Sequence, residues 1–316
     1  MTIFRTLELL AEKAILSPEQ YESLKNEEQT RPISIHWEIH LFLLAGISFL
    51  SAGLGILVYK NIDTIGHQAI IGLIALATIA CGWYVYQKRQ PFLMTDTQKV
   101  QLVPDNILVL GCSLFLILEG YLQYQYQIFG TRYGIATLIP AILFFFCAYR
   151  FDHIGVLTMA MTAFVSWTGL TVTPLSIFNE NVFQYQPLLI HTGIVVGIFL
   201  VVVGLLLNYH NIKPHFTFSY LNFGFNLATI AALYGAFEIN QTLYSLICLF
   251  FCACAIFYAR REHSYFFLLA GTIYGYIAFT TLVAKVHMDF FGWMFYGVVS
   301  CFAIIMFFLN FKKLLK

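Results

Sequence analysis

The chain has 316 residues, of which 59% are hydrophobic and 10% charged, with a mean hydropathy of +0.77 and a net charge of +1. An average soluble domain is roughly 45–50% apolar and about 25% charged, so this composition has too little polar surface to cover a fold in water and belongs to a membrane protein. The balanced charge, without a Lys/Arg-rich stripe or a nucleic-acid module, gives no support to a nucleic-acid partner.

Residues 1–35 read as a small cytoplasmic helical hairpin. "LELLAEKAIL" places Leu7, Leu10, Ala11 and Ala14 on one face. "SPEQ" then restarts a helix, with Ser17 as N-cap, Pro18 in the first turn and Gln20 closing a capping box, and Pro32 ends it. This mostly polar start lacks the basic region and apolar core of a cleavable signal peptide. The hairpin face is small, so it is expected to dock on the membrane domain or on a cytoplasmic protein.

From residue 36 onward apolar runs follow one another. A spanning helix needs about 20 mostly apolar residues, and the runs predict ten: 39–59, 67–86, 106–126, 131–149, 153–173, 187–208, 218–238, 240–259, 264–284 and 290–310. The charges test that number. With the N-terminus inside, the inner segments hold Lys88, Arg89, Lys99, Arg150, Lys213, Arg260, Arg261, Lys312, Lys313 and Lys316, whereas the outer ones keep Lys60, Arg132 and Lys285. That bias predicts an inner-membrane protein with both termini cytoplasmic.

A repeat is also legible. "IHLFLLAGISFLSAGL" (39–54) aligns without gaps on "IHTGIVVGIFLVVVGL" (190–205), and at the same offset "LATIA" occurs at 76–80 and 227–231. An offset of five helices implies two halves of inverted topology, as in many transporters. The echo of "RFDH" (150–153) in "RREH" (260–263) breaks that register and reads as membrane-edge charge.

The chemically distinctive stretch is "LILEGYLQYQYQIFG" (116–130). A charged acid at mid-membrane costs about 2.5–3.5 kcal/mol on insertion scales, so Glu119 must face protein or water, and desolvation favours its neutral form. Glu119, Gln123 and Gln127 are four apart and share one helical face. The stripe is expected either to clamp helices by hydrogen bonds or to line a solute or proton site near the outer surface. Arg132, His191 and Glu238 join it as candidates for an outer polar cavity. Asn222, Asn226 and Thr229 form a second, inner polar face on the seventh helix. Gly193, Gly197 and Gly204 on the sixth are spaced for close helix packing.

The seven cysteines all lie in apolar runs and read as small buried hydrophobes. "CLFFCAC" (248–254) has no His or Met beside it, so no metal or other cofactor is expected. No Walker loop, His-Glu-x-x-His, Gly-x-Ser-x-Gly or paired-aspartate motif is present, which leans against an enzyme.

"AILSPEQ" (14–20), "VYKNID" (58–63) and "YQYQIFG" (124–130) together resemble a bacterial family of predicted membrane proteins, the domain of unknown function twenty-one fifty-seven. The resemblance covers roughly the first 150 residues. It implies a polytopic bacterial membrane protein and no particular activity. Ile62 stands where the family pattern often has Trp, so no aromatic role is carried over to that position. The expected fold is an all-α helix bundle of about ten spans. The expected function is transport or sensing of a small solute through the outer cavity. The alternative is a membrane scaffold whose hairpin binds a cytoplasmic partner.

Overall fold

The structure is a computed structural model that describes residues 20–22, 36–92, 94, 101–130, 132–172, 187–286 and 289–311. The chain divides into two compact units, Met1–Leu50 and Ser51–Lys316. Within the first, residues 20–22 are helical, and the remainder of the expected hairpin, including Ser17, Pro18 and Pro32, lies outside the described residues.

Ten long helices follow: α1 His36–Ile65, α2 His67–Gln87, α3 Leu102–Tyr126, α4 Tyr133–Phe151, α5 Ile154–Val172, α6 Pro187–Tyr209, α7 Thr217–Glu238, α8 Gln241–Arg261, α9 Tyr265–Ala284 and α10 Phe290–Asn310. Among the described residues, α2 to α10 are each long and apolar enough to cross a membrane, and α1 carries the apolar stretch Leu41–Leu57. The fold is a polytopic all-α membrane bundle. α1 runs six residues past the expected 59, and α3 begins four residues before the expected 106. Pro104 is tolerated in a first helical turn, and the Asp105 carboxylate accepts the backbone N–H of Gln101, the N-cap, at 2.9 Å. This places an acid where the helix dipole favours one.

α7 is the central helix: 61% of its apolar window is buried, against 17–33% for α2 to α6, α8 and α9. Its closest partner is α6, and glycines set the approach. A Cβ on Gly197 would fall 2.7 Å from the Gly224 carbonyl oxygen and from the Ala228 nitrogen, and one on Gly224 would fall 2.6 Å from the Gly197 oxygen. Above and below that crossing, Gly193 faces Ala231 and Gly204 faces Tyr220. The glycine spacing therefore serves close packing, one of the terms that draws helices together in lipid. A core of Leu108, Phe144, Leu157, Met161, Leu200 and Phe216 joins α3 to α7. Large apolar side chains such as Phe146, Phe250, Phe257 and Phe302 point outward, as lipid contact requires.

Alternate connections gather on one face. The Arg150 guanidinium donates to the Gln90 carbonyl at 3.1 Å, and the Lys213 backbone N–H donates to the Met94 carbonyl at 2.8 Å. The α2–α3, α4–α5 and α6–α7 connections thus meet. At the other end His67, which opens α2, reaches Tyr121 near the end of α3 at 2.7 Å. This up-and-down order is what a chain crossing at every helix must adopt.

Candidate functional site

The end of α3 carries two polar stripes. Tyr121 and Gln125, four apart, face α2: His67 Nδ1 hydrogen-bonds the Tyr121 hydroxyl at 2.7 Å and His67 Nε2 lies 3.4 Å from the Gln125 amide. Glu119 and Gln123, also four apart, face α4. The alternation of glutamine and tyrosine therefore serves two neighbours, where the sequence reading recognised one stripe. A histidine at the start of the preceding helix was the available signal for the second.

Between α3 and α4 lies a cavity of about 560 Å³, lined by Leu116, Glu119, Gly120, Gln123, Tyr124, Gln127, Tyr133, Ala136 and Thr137. Its size lies within the usual range of small-molecule pockets, roughly 300–1,000 Å³. Glu119 is 8% exposed, and its Oε1 is buried with no hydrogen-bond partner among the described residues. A buried polar atom left without a partner costs about 1–3 kcal/mol, and sites that keep such an atom call for a ligand, water or proton to satisfy it.

The glutamines have different work. Gln123 is a clasp for the turn after α3: its amide donates to the Gly130 carbonyl at 2.9 Å and its side-chain oxygen accepts the Phe129 N–H at 2.9 Å. Gln127 is the C-cap, in the left-handed conformation at φ 47°, and Gly130 follows at φ 54°. The helical register thus ends before Gln127, which reaches the cavity from the turn. The nitrogen and the oxygen of the Gln123 amide are both committed to the backbone, which leaves the Glu119 carboxyl oxygen as the unsatisfied group facing the cavity.

The other outer candidates sit elsewhere. Arg132 is exposed at the N-terminus of α4 and does not line the cavity. His191 bonds the Tyr244 hydroxyl at 2.6 Å, a contact between α6 and α8. Glu238 is exposed at the end of α7. Of the six, the cavity brings together Glu119, Gln123 and Gln127, and adds Tyr124, Tyr133 and Thr137, which the sequence reading did not single out.

The inner polar face is a hydrogen-bonded link between helices. Asn226 donates to the Asn222 side-chain and backbone oxygens at 2.7 and 2.8 Å, and accepts the Tyr274 hydroxyl of α9 at 2.8 Å. Thr229 is fully buried and returns its hydroxyl to the Phe225 carbonyl at 2.7 Å.

A charged cluster missed at the sequence level lies where the connections meet. Lys213 Nζ is 3.0 Å from Asp152 Oδ1, with both side chains almost wholly buried, and His215 Nε2 donates to the same oxygen at 2.6 Å. The Phe92 ring lies 5.2 Å from the ammonium, within cation–π range. Lys213 adopts φ 47°, a left-handed backbone that costs a non-glycine residue about 1–2 kcal/mol. The adjoining cleft lined by Lys88, Arg89, Asp105 and Asp152 measures about 40 Å³, room for a few waters at roughly 10–15 Å³ each. That size makes the cluster a fastening of three connections rather than a solute site. The motif "RFDH" holds Asp152, and its membrane-edge reading overlooked a partner 61 residues away in sequence.

Among the described residues no group of three or more His, Cys, Asp or Glu side chains is arranged to hold a metal ion. Cys248 and Cys252 are buried in the core of α8, while Cys254 is exposed.

No curated protein and no solved structure matches the chain. Residues 8–157, which contain the whole α3–α4 cavity, match the sequence model of a family described as predicted membrane protein, DUF2157. Through that stretch, a little under half of its length, the chain is similar to the DUF2157 family of predicted membrane proteins.

Proposed function

We propose that this multi-pass membrane protein admits a small polar solute to the α3–α4 cavity, for transport or for sensing, with Glu119 as the group that engages it. The supporting observation is the buried, unpartnered Glu119 carboxyl oxygen on the wall of a cavity of about 560 Å³. A helix clamp would have given that oxygen a donor on a neighbouring helix. The Lys/Arg bias orients the basic face and both termini to the cytoplasm of a bacterial plasma membrane, so the cavity opens toward the opposite side. The aligned segments 39–54 and 190–205 fall on α1 and α6, which supports a five-plus-five arrangement with α1–α5 and α6–α10 as inverted halves.

The test uses Gly120, where an added Cβ would meet nothing within 4 Å. In intact cells, Gly120→Cys is expected to react with a membrane-impermeant thiosulfonate added outside, above the background of the native cysteines. Absence of reaction there, with the variant present in the membrane, would show a dry cavity and refute the reading.

A further inference from the structure

We propose that the solute is a small organic ammonium ion carrying at least one N–H. This rests on reading the α3–α4 cavity as a solute site, and it concerns the charge and donor pattern that the cavity selects. Glu119 supplies an unsatisfied acceptor, and its carboxyl is the one carboxylic acid among the described residues that line the cavity. Among the described residues no Lys, Arg or His lines it. An anionic solute would meet a carboxylate without a counter-charge in a low-dielectric wall, where repulsion is strong.

The remaining groups sharpen the choice. The Gln123 amide is committed to Gly130 and Phe129, and the Thr137 hydroxyl donates to the Gly134 carbonyl at 3.0 Å. Two of the polar groups in the lining, the Gln123 amide and the Thr137 hydroxyl, are therefore already engaged, and the remaining neutral donors of Gln127 and the tyrosines bring no positive charge for a carboxylate-bearing or phosphate-bearing solute. Tyr124 and Tyr133 contribute aromatic rings to the lining, and ring faces attract organic cations. A bare divalent metal is a poor fit, since hard cations take six or more oxygen ligands and one carboxylate stands here. An ammonium with an N–H satisfies the orphan oxygen, neutralises the acid and places its apolar carbons against Leu116 and Ala136.

Equilibrium dialysis of the full-length protein in lipid nanodiscs, with n-butylammonium, 1-butanol and butyrate as probes, tests this. Butylammonium is expected to bind best, and Glu119→Gln to weaken it about ten- to hundred-fold, the range set by losing one charge-assisted hydrogen bond. Equal butylammonium binding by the native protein and Glu119→Gln would overturn the inference. So would retention of none of the probes by the native protein. Preference for 1-butanol or butyrate that depends on Glu119 would also overturn it, while leaving the solute site itself standing. Should Glu119→Gln not fold, Gly120→Leu fills the cavity from its wall: lost butylammonium binding supports the inference and unchanged binding refutes it.

Discussion

Lys213 Nζ lies 3.0 Å from Asp152 Oδ1, with the lysine wholly buried and the aspartate side chain 2% exposed. The pair joins the α4–α5 connection to the α6–α7 connection, and His215 on the same oxygen completes it. Removing one member of a buried ion pair leaves the other charge uncompensated, at a cost of about 3–5 kcal/mol. Lys213→Ala is therefore expected to lower the unfolding midpoint of the detergent-solubilised protein sharply. Lys213→Gly should be milder by about 1 kcal/mol, because glycine accepts the left-handed backbone that lysine holds at φ 47°. Equal effects of the two substitutions would contradict the strain at this position.

The α6–α7 crossing gives a second prediction. Gly197→Ala drives a methyl group to 2.7 Å from backbone atoms of Gly224 and Ala228, and backbone cannot swing aside as a side chain does. Overpacking of this kind costs about 1–3 kcal/mol. Gly72→Ala on α2, where an added Cβ meets nothing within 4 Å, should be neutral or slightly stabilising through helix propensity. Thermal unfolding of the two variants side by side checks the contrast.

These contacts show which features can be read in sequence. The helices were legible because each is a long apolar run bounded by charge or proline, and lipid permits few alternatives to a helix. The glycine face of α6 was legible because its spacing repeats on one side of a single helix. The buried charges were not: Asp152 and Lys213 meet only because two connections far apart in sequence fold onto one face. Glu119 stood out through the cost of an acid in an apolar run. The roles of its neighbours did not, since Gln123 turns to the backbone of the following turn and Gln127 leaves the helical register.

The turn clasp is testable by itself. Gln123→Ala removes two hydrogen bonds, each worth about 0.5–1.5 kcal/mol net. The Phe129 amide, whose partner is the Gln123 oxygen, should exchange with solvent faster, while amides in α7 stay protected. Unchanged exchange at Phe129 would show that the clasp does not hold the turn.

Orientation follows from the charge bias. A reporter fused after Lys316 should register as cytoplasmic, and one inserted within residues 174–186 should register on the opposite side. Both on one side would contradict the five crossings, α6 to α10, between that loop and Lys316.

Solute occupancy of the α3–α4 cavity is tested most directly by an electron-microscopy map of the full-length protein in a lipid nanodisc, at a resolution that shows ordered solute and water. Polar density is expected in the α3–α4 cavity, within roughly 3 Å of the Glu119 carboxyl, as hydrogen bonding requires. A cavity filled by acyl chains or by protein side chains, with Glu119 bonded to a neighbouring helix, would contradict it.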